Sequence, residues 1–363
     1  MVIVRAVTLL LGDEDSLSLD KVDSIARKAS SLLAKLKRCL SENKVKAWTH
    51  RIVFPQLDTS LAPSRYAGLT RRLRAVLGED VLIDPYIIDG EEAANYINYL
   101  PKFLQEDYLS YASILCRSWQ CLEKVIQALR EANMSEDNYT RVAIEIGDWI
   151  HTPYFPATSP IPGTTGFAVA LRYARDFIGL LEGRGEFLEE ELRTLHEKLL
   201  NVSKCSGIEF LGIDFSLSPW MEESVALLIE KLSKSPFGAI GTISSIHRLN
   251  KLIRELIVRL GAKSIGFNEV MLPVAEDNLL DKRVSEGVVR LADLVYYSVF
   301  CVAGVDMVAV NKSSIDPRLL ANDLWVVYET KGRPIGVRMI FTDKRPGESV
   351  LLRRFGRTHV IKL

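Results

Sequence analysis

The chain has 363 residues, 48% of them apolar and 25% charged, a length and mixture that can bury a large core and that exclude a disordered or fibrous protein. Basic and acidic residues balance at 46 each, so no net field draws the molecule to nucleic acid or to an anionic membrane. Residues 2–11 form an apolar run of strand type, too short and too little flanked by basic residues to be a signal peptide. An amphipathic helical pattern follows at 17–40, and the β-branched and aromatic content of 46–54 predicts a second strand that stops at Pro55. Pro63 opens a helix through 77, at a first-turn position where its missing N–H costs nothing. Arg71, Arg72 and Arg74 read as the solvated face of that helix. A third strand is predicted at 81–88, then a mostly helical stretch over 91–134 broken at Pro101.

The strand at 142–146 leads into a different kind of segment. Residues 151–165 carry Pro153, Pro156, Pro160 and Pro162, with a turn at Gly163. Loops of this length inside a compact domain are usually functional or mobile, and stiffening by proline predicts an ordered lid or wall. Helices are expected at 166–181 and 189–202. Then come strand 208–213, helix 219–233, strand 238–240, helix 244–260 and strand 264–267. A loop through 277, helix 284–300, strand 305–310, helix 317–328 and strand 335–341 complete the order. The longest apolar stretch, 291–310, is broken by Asp293, Gly304 and Asp306, so no membrane span is expected and a cytoplasmic protein is. This alternation predicts a single α/β domain over 1–363, its sheet covered by helices and either open and doubly wound or closed into a barrel.

In such folds ligands bind beyond the carboxyl ends of the strands, where helix N-termini converge. Asp214 and Ser216 follow strand 208–213. Asp214 must find a partner at a buried strand end, either in loop N–H groups or in chemistry, and Ser216 is a candidate ligand contact. Ser218 reads as the N-cap before Pro219. Gly241 with Thr242 and Ser244 at a helix start forms a candidate anion cradle, and His247 lies one turn further on. Asn268 follows the next strand, and Glu276 and Asp277 close its loop. These acids, with Asp214 and the pair Glu145 and Asp148, would suit a hard divalent cation, or would simply favour a helix start. Among the five cysteines no CxxC pair occurs. Cys116 and Cys121 fall on different faces of an expected helix, and Cys301 reads as a packed thiol, so buried free thiols are expected. Scarce glutamine beside abundant Glu, Arg and Leu points to a thermophilic source, in which a disulfide would be less surprising.

From Gly207 onward the order of motifs resembles the family called domain of unknown function 711. The stretches are Gly207–Pro219, Glu223–Val225, Gly241-Thr242, Leu272–Asp277, Cys301–Met307 and Val337-Arg338. The resemblance implies a closed ten-stranded α/β barrel, helices outside, like that of glycyl radical enzymes such as pyruvate formate-lyase. It implies no particular activity. Arg353-Arg-Phe-Gly-Arg357 is too unlike a glycyl radical loop to suggest radical chemistry. The family's glycine- and serine-rich mid-chain segment is replaced here by Glu145-Ile-Gly-Asp148 and the proline-rich loop.

The leading reading is an enzyme acting on a small anionic or carbonyl-bearing metabolite in the barrel mouth. Asp214, Glu276, Asp277 and His247 would be its acid/base or metal-binding groups, and Ser216, Thr242, Ser244, Asn268 and Arg338 its ligand contacts. A divalent metal held through Glu145 and Asp148 is the cofactor such a site would admit. The alternatives are a small-molecule sensor without turnover, and a structural subunit of a homo-oligomer with 153–163 as its contact.

Overall fold

The protein is described by a computed structural model covering residues 2–363, with side chains except those of 91–94 and 303. Its strands are β1 (Ile3–Leu11), β2 (Ala47–Val53), β3 (Leu82–Asp89), β4 (Ser110–Cys116), β5 (Val142–Ile146), β6 (Thr165–Arg172) and β7 (Glu209–Asp214). Later come β8 (Met271–Pro273), β9 (Ala303–Asp306), β10 (Val308–Asn311) and β11 (Ile335–Val337). The last three are β12 (Met339–Thr342), β13 (Ser349–Leu352) and β14 (Gly356–His359).

Eight strands form the main sheet in the order β11-β5-β4-β3-β2-β1-β6-β7. The block β1 to β5 is parallel, β11 and β6 flank it antiparallel, and β7 runs parallel to β6. The sheet curves into an open half-barrel. The closed ten-stranded barrel expected from the resemblance is therefore incorrect: β7 and β11 stand at opposite edges and do not pair. Two segments expected to extend the sheet fail to do so. Residues 238–240 are turn, and Ser264 makes only an isolated bridge to Ile213. The short ladders β8–β9, β10–β12 and β13–β14 each stand apart.

Helices cover the convex face. Val7, Leu9 and Leu11 of β1 point into that core, as do Ile83, Ile114, Ile144 and Leu33, Leu36 of the helix Val22–Glu42. The concave face is covered by the proline-rich loop instead. Thr152 to Ser159 are all buried, and Ile150, Tyr154 and Phe155 pack onto Ala6, Leu10, Leu82 and Tyr111. With both faces covered, the strands carry nearly continuous apolar runs. The loop is thus an interior plug: of its residues 153–163 only Pro162 and Gly163 are exposed, which leaves little of it for the oligomer contact expected from the sequence.

Two strands hide in segments read as helical. β4, Ser-Tyr-Ala-Ser-Ile-Leu-Cys, is buried throughout, and β6 is rich in alanine and buried on both faces, so neither shows the period-two alternation that distinguishes a strand. The expected helix 284–300 is two, Asn278–Ser285 and Leu291–Tyr297. No helix among the described residues is long and apolar enough to cross a membrane.

The cysteines also differ from expectation. Cys39 and Cys205 form a disulfide that ties the helix Val22–Glu42 to Gly185–Ser206. Cys116 ends β4 and Cys121 lies in the first turn of the helix Trp119–Glu131, so the two thiols meet with sulfurs 2.9 Å apart instead of facing away. Cys301 is buried. Thiol titration in denaturant is expected to find three reactive groups before reduction and five after; five in both would show that the Cys39–Cys205 bond is absent.

Candidate functional site

The residues expected to share one hollow separate into three places. Asp214, Ser216 and Asn268 form a buried knot. Asp214 accepts from Thr152 Oγ1 (2.6 Å), Ser216 Oγ (2.6 Å) and the N–H groups of Ser216, Phe267 and Asn268 (3.0 Å each). Five donors on two oxygens leave little capacity for a ligand. The loop is close enough that a Cβ at Gly266, whose φ is +81°, would fall 2.1 Å from Asp214 Oδ2.

Thr242, Ser244 and His247 lie elsewhere, on the helix Thr242–Leu260. Thr242 is buried and accepts from the Gly238 N–H, and Ser244 and His247 are exposed on the outer surface. Asp277 is an N-cap: it accepts from Leu279 and Leu280 of its own helix and from Val225 and Ala226 of another. Asp148 accepts from the Trp149 N–H, while Glu145 is buried beneath the plug and accepts from the Ile150 N–H. Among the described residues the one group of three metal-type ligands is Cys39, Glu42 and Cys205, two of which are consumed by the disulfide.

Glu276 and Arg338 do meet, and they do so with residues that the loop-by-loop reading passed over. A cavity of about 230 Å³ joins a smaller chamber of about 40 Å³, both bounded by Arg5, Arg51, Phe155, Glu276 and Arg338. It lies at the amino ends of the parallel strands: Leu82 is the first residue of β3, Leu109 precedes β4, and Arg141 precedes β5. The carboxyl ends border a different hollow, of about 180 Å³, whose charged lining is Glu14 and Asp15. The arginine-rich cavity thus lies at the end opposite to the one that the usual rule for α/β sheets nominates, with the plug on the concave face forming one of its walls.

Local structure explains how the charges reach the cavity. Arg5 sits at the irregularity of β1, between Val4 and Ala6, and this extra residue turns its side chain away from the helix-covered core. Its guanidinium donates to Ser218 Oγ, to the Pro219 carbonyl (3.1 Å) and to Glu276 Oε2 (2.5 Å). Arg338 donates to Glu276 Oε1 (3.1 Å) and to both oxygens of Asp306. Burial raises the Glu276 pKa, but Arg5 and Arg338 outweigh it and hold the carboxyl below its ordinary value. Glu276 is thereby fixed as an anion between two guanidiniums, a poor general base.

Arg51 is different. It is 6% exposed, bonds Thr49 Oγ1 (3.1 Å) and the Pro153 carbonyl (3.3 Å), and has no ion pair among the described residues. Its guanidinium carbon stands 5.2 Å from the centre of the Phe155 ring. Burial, reinforced by Arg5, pushes its pKa down to about 9. A buried cation with no counter-charge is costly unless something pairs with it.

The wall opposite is strained. Ala157 adopts φ +65°, a left-handed conformation unusual for a residue with a Cβ, and its methyl presses on Gly336, where an added Cβ would come within 2.9 Å. Arg5 was open to detection in the sequence, since it is a lone charge inside an apolar strand run, whereas Arg51 follows Lys46, Thr49 and His50 in a mixed segment that does not single it out.

The molecule is an α/β half-barrel with an arginine-lined interior cavity. Its segment 191–352 matches the model of the family described as Uncharacterised ACR (DUF711), which bears out the resemblance read from the motifs after Gly207. A UPF0210 protein of Sulfurisphaera tokodaii is 29% identical over 167 residues, 45% of this chain and 38% of that protein. UPF0210 proteins of Methanosarcina mazei (31% over 111 residues) and Streptococcus sanguinis (28% over 114) cover 30% and 31% of the chain. They are matched over only 24% and 26% of their own lengths, so the chain spans well under half of these relatives. None of their names assigns an activity. Glu276, Asp306 and Arg338 lie inside the matched segment, whereas Arg5, Arg51 and the 353–355 turn lie outside it.

Proposed function

We propose that this chain binds a small anionic molecule in the cavity between the plug and the C-terminal segments, with Arg51 as the anchoring cation. The observation that carries this reading is the buried Arg51 guanidinium, unpaired among the described residues and opening on the cavity. Of the other buried cations there, Arg5 and Arg338 are already neutralised by Glu276 and Asp306, and Arg141 is spent on the Leu104, Asp107 and Ser110 carbonyls and on Asn138 Oδ1, so Arg51 is the buried guanidinium left to meet a ligand. A bound carboxylate or phosphate would accept charge-assisted hydrogen bonds from it. Binding is favoured over acid/base turnover because the one carboxylate deep in the cavity that the sequence nominated, Glu276, is clamped as an anion.

Titration calorimetry with inorganic phosphate is the test. Wild type is expected to bind, and Arg51→Ala to bind at least about tenfold more weakly, the loss of one charge-assisted contact. Equal affinity of the two proteins, with circular dichroism showing both folded, would remove Arg51 as the anchor.

A further inference from the structure

The cavity has a second set of cations, and its position defines the ligand more narrowly. The turn of the β13–β14 hairpin carries Arg353, Arg354 and Phe355 to the rim. Both arginines are exposed, and neither has an ion pair among the described residues. Arg354 donates to the Tyr111 hydroxyl (2.8 Å), and the Arg353 guanidinium lies over the ring of Tyr108, 4.4 Å from its centre. Tyr108 is itself 60% exposed.

Between this rim and Arg51 the walls are aromatic. Tyr111 and Phe155 meet edge to face with ring centres 5.2 Å apart on one side, and Trp220 and Phe355 at 5.9 Å face the same space. A buried cation, Arg51, and two exposed rim cations, Arg353 and Arg354, thus border one space with these rings, and Asp137, which accepts from the Arg353 N–H, and the carbonyl-bound Arg141 complete its charged lining.

We infer that the ligand is a planar ring carrying anionic groups at both ends, such as an aromatic phosphate with a second acidic substituent. One end pairs with Arg51, the ring lies between the aromatic walls, and the other end meets Arg353 and Arg354. Flat apolar rings fit aromatic walls better than a flexible chain does, and rim guanidiniums already held over or against tyrosines are pre-positioned for a carboxylate or phosphate. The inference rests on the anion reading above for its deep end only.

Three probes separate the parts: inorganic phosphate, phenyl phosphate, and 4-carboxyphenyl phosphate. Each step is expected to tighten binding by about tenfold, first from the ring and then from the second charge. Arg353→Ala with Arg354→Ala should erase only the last gain, and both positions are exposed turn residues whose replacement leaves the core intact. Phosphate bound through Arg51 with phenyl phosphate no tighter overturns the ring and keeps the anion reading. A carboxyl gain that is missing, or that survives the double replacement, overturns the second charge. No Arg51-dependent binding of any probe overturns both.

Discussion

Asp214→Ala is expected to lower the stability of the protein by at least about 4 kcal/mol, seen as a large fall in the urea midpoint, without a specific effect on ligand binding in whatever fraction stays folded. The replacement removes the acceptor for the Ser216, Phe267 and Asn268 N–H groups and for two hydroxyls, all at a buried strand end. Each buried donor left unpaired costs roughly 1–3 kcal/mol. Arg51→Ala offers the contrast: its side chain bonds one hydroxyl and one carbonyl and no carboxylate among the described residues, so its midpoint should stay near that of wild type. An Asp214→Ala protein that folds normally yet no longer binds phosphate would return Asp214 to the binding site and remove its reading as a structural knot.

The second large effect is in the pH dependence. Asp84 on β3 and Glu145 on β5 are both fully buried under the plug, each with one oxygen lacking a hydrogen-bond partner. Burial raises the Asp84 pKa to about 7, despite a 2.7 Å bond from Ser113 Oγ. Burial raises Glu145 as well, and the neighbouring charge of Asp84 adds to it. The folded protein therefore holds the Asp84 proton more tightly than the unfolded chain, whose carboxyl titrates near the ordinary 3.8. Between these two values the native state binds more protons, so stability falls as pH rises from about 4 to 7. The loss attributable to Asp84 is on the order of 4 kcal/mol once pH passes 7, and Glu145 carries the decline higher. Asp84→Asn should match wild type near pH 4, flatten the slope from there to pH 7, and be the more stable protein at pH 8. Urea midpoints across that range decide it, and parallel curves for the two proteins would show that Asp84 is ionised in the native state.

The helices and most of the parallel strands could be read from the chain, because proline, glycine and helical periodicity mark their limits. β4 and β6 could not. A strand buried on both faces loses its alternation, and Thr165–Arg172 then reads like any alanine-rich helix. Closure of the sheet was equally out of reach, since whether β7 and β11 pair depends on what fills the concave side and not on either strand's own residues.

The site divides along the same line. Glu276 and Arg338 could be found because they sit among distinctive motifs, but Arg5, which pairs with Glu276, and Arg51, which shares the cavity, come from strands more than 200 residues away in sequence. Thr242, Ser244 and His247 have suitable chemistry at a helix start, but Thr242 is buried against the Gly238 N–H while Ser244 and His247 face outward, so they do not meet Asp214 or Glu276. Asp214 was open to reading as a buried acid and Asp277 as an acid favouring a helix start. Their oxygens are occupied by backbone N–H groups, which sequence spacing alone does not reveal.

One wall of the arginine cavity is irregular backbone: Tyr154, Phe155, Pro156 and Ala157 belong to the plug and to no strand or helix. Strand positions are fixed by ladder partners, so changing a cavity bounded by strands alone disturbs the sheet. Here Phe155 and Pro156 shape the contour without belonging to any ladder, while Tyr154, bonded to the Leu171 carbonyl, and Ala157, at φ +65°, anchor the stretch. The shape of this wall is therefore set by a short stretch of side chains and not by the pairing of strands.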